Sequence, residues 1–263
     1  MRDIADAAPE RRIDTLGVAR HTVAVGSPHS GMGRGTLVVA SVTLAALVAV
    51  VVVVVFALGS KNSPPASATV TGGAGVEALL HGIPQQGTTL GSPKAPVTLV
   101  EFADPQCPYC GVWAREALPT IVNRYVREGK VQLVFEGMTF VGSDSVTALR
   151  TALAAGRQNK FWNVLELLFD NQGTENTGWV TDSLLRSIGA TVPGLDTERM
   201  LADRGSTAVD RMIAQADSVA RRAQVNSTPS FAVGRTGGPL RLIQVSNLSV
   251  SALAHAIDAT LKR

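Results

Sequence analysis

The chain has 263 residues, 45% of them hydrophobic and 17% charged, with a net charge of +3. That length holds one or two domains, and so small a charge excess, with no basic stripe of interleaved aromatics, argues against a nucleic-acid partner. Two cysteines and four scattered histidines (His21, His29, His81, His255) leave no ligand set for a structural zinc site, which takes about four.

Residues 1–35 are polar and rich in Gly and Arg, without lasting periodicity, and read as a disordered tail. Thr36 to Leu58 is an uncharged apolar run of 23 residues. As a helix it would extend about 34 Å, enough for a hydrocarbon core of about 30 Å. Its polyvaline centre, Val50 to Val55, is a poor helix former in water, but in lipid every backbone group must bond internally and helix wins. The run is too long for a signal-peptide core of roughly 7–15 residues. The small-residue triplet Ala66-Ser67-Ala68 also lies well beyond its end. The pattern therefore predicts one uncleaved transmembrane helix, a signal-anchor. Arg2, Arg11, Arg12, Arg20 and Arg34 precede it and Lys61 alone follows closely, which places the N-terminus in the cytoplasm and the rest outside. Residues 59–86 read as a linker, Ser/Pro/Ala/Thr/Gly-rich as far as Gly75, with a helical turn at Val76 to Leu80.

A folded domain is expected over 87–263. Gly87 to Gly91 suggests a short edge strand. Val97 to Ala103 is nearly continuous apolar sequence, as in a central strand buried on both faces, and Glu101 interrupts it. A buried carboxyl there would hold its proton. Asp104 belongs to the turn that follows. Then comes Cys107-Pro108-Tyr109-Cys110, at the junction with an amphipathic run, Val112 to Val126. A strand feeding a helix is the setting in which C-x-x-C does redox chemistry. Unpaired N–H groups and the helix dipole would stabilise a Cys107 thiolate, and Pro108 suits the first helical position. Cys110, one turn on, could attack a mixed disulfide formed on Cys107. A static bridge closing so short a loop would add little stability. Glu101, six residues before Cys107, could lie beneath the pair and take the proton of Cys110; the alternative is a solvated carboxylate at the sheet edge.

Trp113, Ala117, Ile121 and Tyr125 share one stripe of this helix, Pro119 should kink it and Gly129 stop it. Val131 to Phe135 is the next strand, parallel to the first because a helix joins them. From about 143 to 224 the pattern is helical: Ser145–Ala155, Phe161–Phe169, a helix around Leu184, Leu185 and Ile188, and Thr207–Ala223. Pro229–Val233 and Leu240–Val245 flank Thr236-Gly237-Gly238 as a hairpin, and a last helix runs from about Ser249 to Leu261. The fold class is α/β.

Strand, C-P-Y-C helix, strand, helical block, Thr228-Pro229, hairpin and final helix, in that order, resemble the DsbA-like branch of the thioredoxin superfamily. The segments Gly91 to Val97 and Glu101 to Asp104 look like its membrane-tethered Gram-positive and actinobacterial members. The resemblance implies a thioredoxin-like fold with a helical insertion. It also implies roles: Cys107 and Cys110 as the redox pair, Glu101 as the acid beneath it, and Pro229 as a cis-proline beside which the Thr228 backbone pairs with extended substrate. Phe161-Trp162 matches an aromatic landmark of the insertion. The chain departs from the proteobacterial oxidase at Tyr109, where that enzyme has histidine. It departs again at Glu136-Gly137, where relatives often carry a basic residue and proline.

The expected function is thiol-disulfide oxidoreduction outside the cytoplasm, oxidising exported protein thiols, with the redox-active disulfide as the only cofactor. A quinone-linked, vitamin K epoxide reductase-like membrane partner for reoxidation is implied by the resemblance alone. Reduction or isomerisation at the same site is one alternative, and a redox-inert peptide-binding domain is another.

Overall fold

The structure is a computed structural model that describes residues 68–243 and 250–263. The predicted tail and transmembrane helix lie outside the described residues, and none of the helices within them is long and apolar enough to cross a membrane. Gln244, Val245 and Ser249 also fall outside.

The elements in chain order are α1 (Gly73–Leu80), β1 (Gln85–Gln86), β2 (Thr89–Leu90), β3 (Val97–Ala103), α2 (Pro108–Glu116), α3 (Leu118–Ile121), β4 (Val131–Gly137), α4 (Ser143–Gly156), α5 (Phe161–Asp170), α6 (Asp182–Thr191), α7 (Thr197–Asp203), α8 (Thr207–Arg222), β5 (Ser230–Arg235), β6 (Arg241–Ile243) and α9 (Val250–Leu261). The strands form one sheet in the order β1-β2-β4-β3-β5-β6. β3 runs parallel to β4, with Glu101 opposite Phe135, and antiparallel to β5, with Glu101 opposite Phe231.

All seven residues of β3 are buried, as a central strand requires. Its alternate side chains enter different cores, because successive residues of a strand point to opposite faces. Val97, Leu99 and Ala103 join the large core with Cys107, Cys110, Trp113, Phe161, Trp162 and Leu165. Val100 and Phe102 face a small cluster with Met138, Ala220 and Ala232, which α8 covers. Phe135, Phe161 and Trp162 meet at 5.2 to 6.0 Å between ring centroids. Each such ring, fully removed from water, is worth about 1.5–3 kcal/mol.

Four expectations need correction. The stretch read as a linker holds α1, which buries Val76 and Leu80, and also β1. The folded part therefore begins before residue 87. The short strand at Gly87–Gly91 is only Thr89–Leu90, and β1 lies outside it at the sheet edge. The helix after the cysteines is not one helix kinked at Pro119 but two, divided just before the proline at Ala117. It restarts with Pro119 in the first turn of α3, where a missing N–H costs nothing, and then widens into a π-helical turn at Val122–Val126. Helix α7 was not anticipated.

Candidate active site

Strand β3 delivers the chain to a tight turn at its C-terminal end. There the Cys107 N–H donates to the Asp104 carbonyl at 3.0 Å. The buried Asp104 carboxylate accepts from Gln106 N–H at 2.8 Å and Val141 N–H at 3.0 Å, joining this turn to the segment after β4. Cys107 is the N-cap of α2, in extended conformation, and Pro108 opens the helix. Both cysteines are free thiols with little exposed surface, and Cys110 is the more deeply enclosed of the two.

The two thiols are driven in opposite directions. Cys107 falls from 9.0 to about 6. The largest cause is the Cys110 thiol, which donates to its sulfur; the Thr228 side chain and the backbone N–H groups of Tyr109 and Cys110 add to this, against partial burial. The helix N-terminus thus contributes, but the partner thiol contributes more. Cys110 is pushed well above 9.0, first by burial, then by its hydrogen bond to Cys107 and the charges of Cys107 and Glu101.

Thr228 and Pro229 reach the pair from across the fold. The Cys107 Sγ donates to the Thr228 carbonyl at 3.4 Å, and the Thr228–Pro229 peptide bond is cis. Glu101 is 1% exposed, and burial raises its carboxyl from 4.5 to about 8. The Trp113 indole offsets this slightly, at a geometry too poor for a regular hydrogen bond: Glu101 Oε2 and Trp113 Nε1 are both without partners. All five residues expected at the site therefore converge on one end of β3. Tyr109 stands 68% exposed beside them. Among the described residues, no group of three or more His, Cys, Asp or Glu side chains is placed to hold a metal ion.

Sequence reading missed the residues that clamp this arrangement. The Gln172 side chain donates to the carbonyls of Pro105 at 2.9 Å and Cys107 at 3.1 Å. It passes over Gly111, where a Cβ would stand 2.5 Å from its Oε1. Arg115 donates to the Phe169 carbonyl at 2.6 Å, tying α2 to α5. Gln106 reaches Ser145 and Asn176 at 3.0 and 3.3 Å. The one local hint is Gly111 itself, a glycine inside a helix, which marks a close approach.

A parallel β3–β4 pair with an antiparallel β5–β6 hairpin, a C-x-x-C at a helix N-terminus and a cis-proline facing it define a thiol-disulfide oxidoreductase of thioredoxin-like fold. Comparison with known proteins agrees. Residues 84–258 match the family described as Thioredoxin. A probable disulfide bond formation protein D of Bacillus cereus is 31% identical over 178 residues, covering 66% of this chain and 79% of the relative. Among solved structures, a thioredoxin-like oxidoreductase from Silicibacter pomeroyi is 31% identical with a TM-score of 0.51, covering 71% of this chain and 98% of that one. Oxidised BdbD from Bacillus subtilis shares the fold with a TM-score of 0.59 at 23% identity, covering 69% and 98%. The chain belongs to the thioredoxin family, in its DsbA-like branch.

Proposed function

We propose that the protein oxidises exported proteins outside the cytoplasm, held to the membrane by a helix over 36–58. A substrate thiolate attacks Cys107 Sγ of the Cys107–Cys110 disulfide. The bond breaks, Cys110 leaves with the electron pair and takes a proton from Glu101. The second substrate thiol, its proton lost to solvent, then attacks as a thiolate at the substrate sulfur of the mixed disulfide and Cys107 departs as a thiolate. The substrate loses two electrons and the protein gains them. Thr228 and Pro229 hold the extended substrate beside Cys107, and the redox-active disulfide is the only cofactor. A quinone-linked, vitamin K epoxide reductase-like membrane protein restores the disulfide. Family resemblance supports that partner; the apolar run and the arginines before it support the location.

The observation that carries the reading is the split between the thiols, Cys107 at about 6 and Cys110 well above 9.0. A thiol ionised at neutral pH is a good leaving group, so its disulfide passes readily to others. The test is a reduced peptide offered to the oxidised protein. Cys107→Ser abolishes exchange, and Cys110→Ser accumulates mixed disulfides through Cys107. Exchange by Cys107→Ser would refute the site. A reduction potential near thioredoxin's, about −270 mV, would reverse the direction.

A further inference from the structure

A second carboxyl, that of Glu166, is buried near enough to Glu101 to feel its charge, and the site as described makes no use of it. Strand alternation puts Glu101 on the β3 face of Leu99 and Ala103, toward the layer holding α2 and α5. Glu166 projects from α5 into that layer and is 5% exposed, and its Oε1 has no hydrogen-bond partner. Glu101 Oε2 and Trp113 Nε1 are unpartnered in the same layer. Buried polar atoms are nearly always paired, and each orphan costs about 1–3 kcal/mol. Several gathered beneath a redox pair therefore call for a function.

On its other side Glu166 lines a partly open cavity of about 460 Å³, together with Gly72, Val76, Arg115, Pro119 and Asp170. Helix α1 forms one wall of it, and Asp170 lies one turn along α5 from Glu166. We propose that Glu166 is the second station of a buried proton path that runs from Cys110 through Glu101 to this cavity. Glu166 acts through Glu101 and touches neither sulfur.

The inference rests on the reading of Cys107 and Cys110 as the redox pair with Glu101 as their proton donor. When Cys110 leaves as a thiolate it takes the Glu101 proton, Glu166 returns one proton to Glu101, and the cavity refills Glu166. One proton enters and no other bond changes. The charged neighbours of Glu166 suit this. Burial, then Glu101 and Asp170, hold it protonated, and Arg115 opposes them. Asp170 is raised by burial and lowered by Arg115, as a group at the path's outer end should be.

The experiment uses the full-length protein in detergent, as wild type, Glu166→Gln and Glu166→Asp. Carboxyl carbon NMR follows Glu101 and Glu166, ultraviolet absorbance follows the Cys107 thiolate, and exchange with a reduced peptide is timed against pH. Glu166→Gln should leave the ionisation midpoints of Glu101 and Cys107 close to their wild-type values and slow exchange about tenfold or more with an altered pH profile. Glu166→Asp should restore part of the rate. Superimposable pH profiles for wild type and Glu166→Gln would overturn the path, as would a wild-type Glu166 already ionised at about pH 6. The wild-type titration decides the matter even if a variant fails to fold. Either result leaves the redox site standing while wild-type exchange depends on Cys107. Loss of that dependence would sink the site reading itself.

Discussion

Glu101→Gln keeps the shape of the buried side chain and removes its titration. In the folded protein the Glu101 carboxyl ionises at about 8 instead of 4.5. Between those values the folded chain holds a proton that the unfolded chain has released. Stability therefore falls as pH rises, by about 1.4 kcal/mol per unit. The loss begins near pH 4.5, reaches roughly 3 kcal/mol at pH 7, and levels off above pH 8 at roughly 5 kcal/mol. Glu101→Gln should escape it. Relative to wild type the variant should gain roughly 3 kcal/mol between about pH 4.5 and pH 7, whatever the constant offset from its amide. Urea unfolding of the dithiol forms measures this. All three tryptophans, Trp113, Trp162 and Trp179, lie within the described residues, so fluorescence reports this domain. Titrations shared by both proteins cancel in the difference, apart from those of Glu166 and Cys110, which sense Glu101. Parallel stability curves from about pH 4.5 to 8 would show that Glu101 is not held protonated, and its role as proton donor would fall with it.

Two further outcomes follow from the surroundings of Cys107. Tyr109→His places an imidazole at an exposed position next to the thiolate. It should lower Cys107 below about 6 and raise the reduction potential by up to about 30 mV, read by thiolate absorbance and by equilibration with glutathione. An unchanged potential would mean that Tyr109 is too far into solvent to matter. Gln172→Ala removes two hydrogen bonds to the carbonyls of Pro105 and Cys107 and should cost about 1–3 kcal/mol in urea unfolding. A loss under about 0.5 kcal/mol would show that the turn holds itself.

Much of the frame was legible because its signals are local. The continuous apolar run of β3 requires burial on both faces, and the stripe Trp113, Ala117, Ile121, Tyr125 requires a helix against a core. The parallel pairing of β3 and β4 followed from the helix between them. Helix α7 was not legible: of its seven residues only Met200 and Leu201 are buried, too few to set a period. Helix α1 shows in the sequence as no more than a turn for the same reason, since Val76 and Leu80 are its only buried residues. The clamps around the cysteines were invisible because Gln172, Arg115 and Gln106 find partners 39 to 70 residues away, and no window of sequence holds both ends. Glu166 is the instructive miss. It sits inside Phe161–Phe169 as Glu101 sits inside Val97–Ala103, a carboxyl in a mostly apolar run whose other polar residue is Asn163 in one case and Thr98 in the other. The aromatic face of that helix is a stronger signal for packing than one carboxyl is for chemistry.

The two sulfurs and the carboxyl beneath them tie the redox state to pH in opposite senses. Cys107, lowered from 9.0 to about 6, stabilises the folded dithiol form as pH rises from about 6 toward 9. Because the group is only partly enclosed, solvent screening trims this to about 1 kcal/mol or less at pH 7. Glu101 works the other way from about 4.5 to 8. The disulfide form keeps the Glu101 penalty and has no thiolate to offset it, so it loses stability with rising pH more steeply than the dithiol form. Near neutrality the protein is therefore relieved by accepting electrons, through the Cys107 thiolate that reduction releases. That bias comes from placing one thiol at the helix end and the other a turn deeper over a buried acid, and it favours giving the disulfide away.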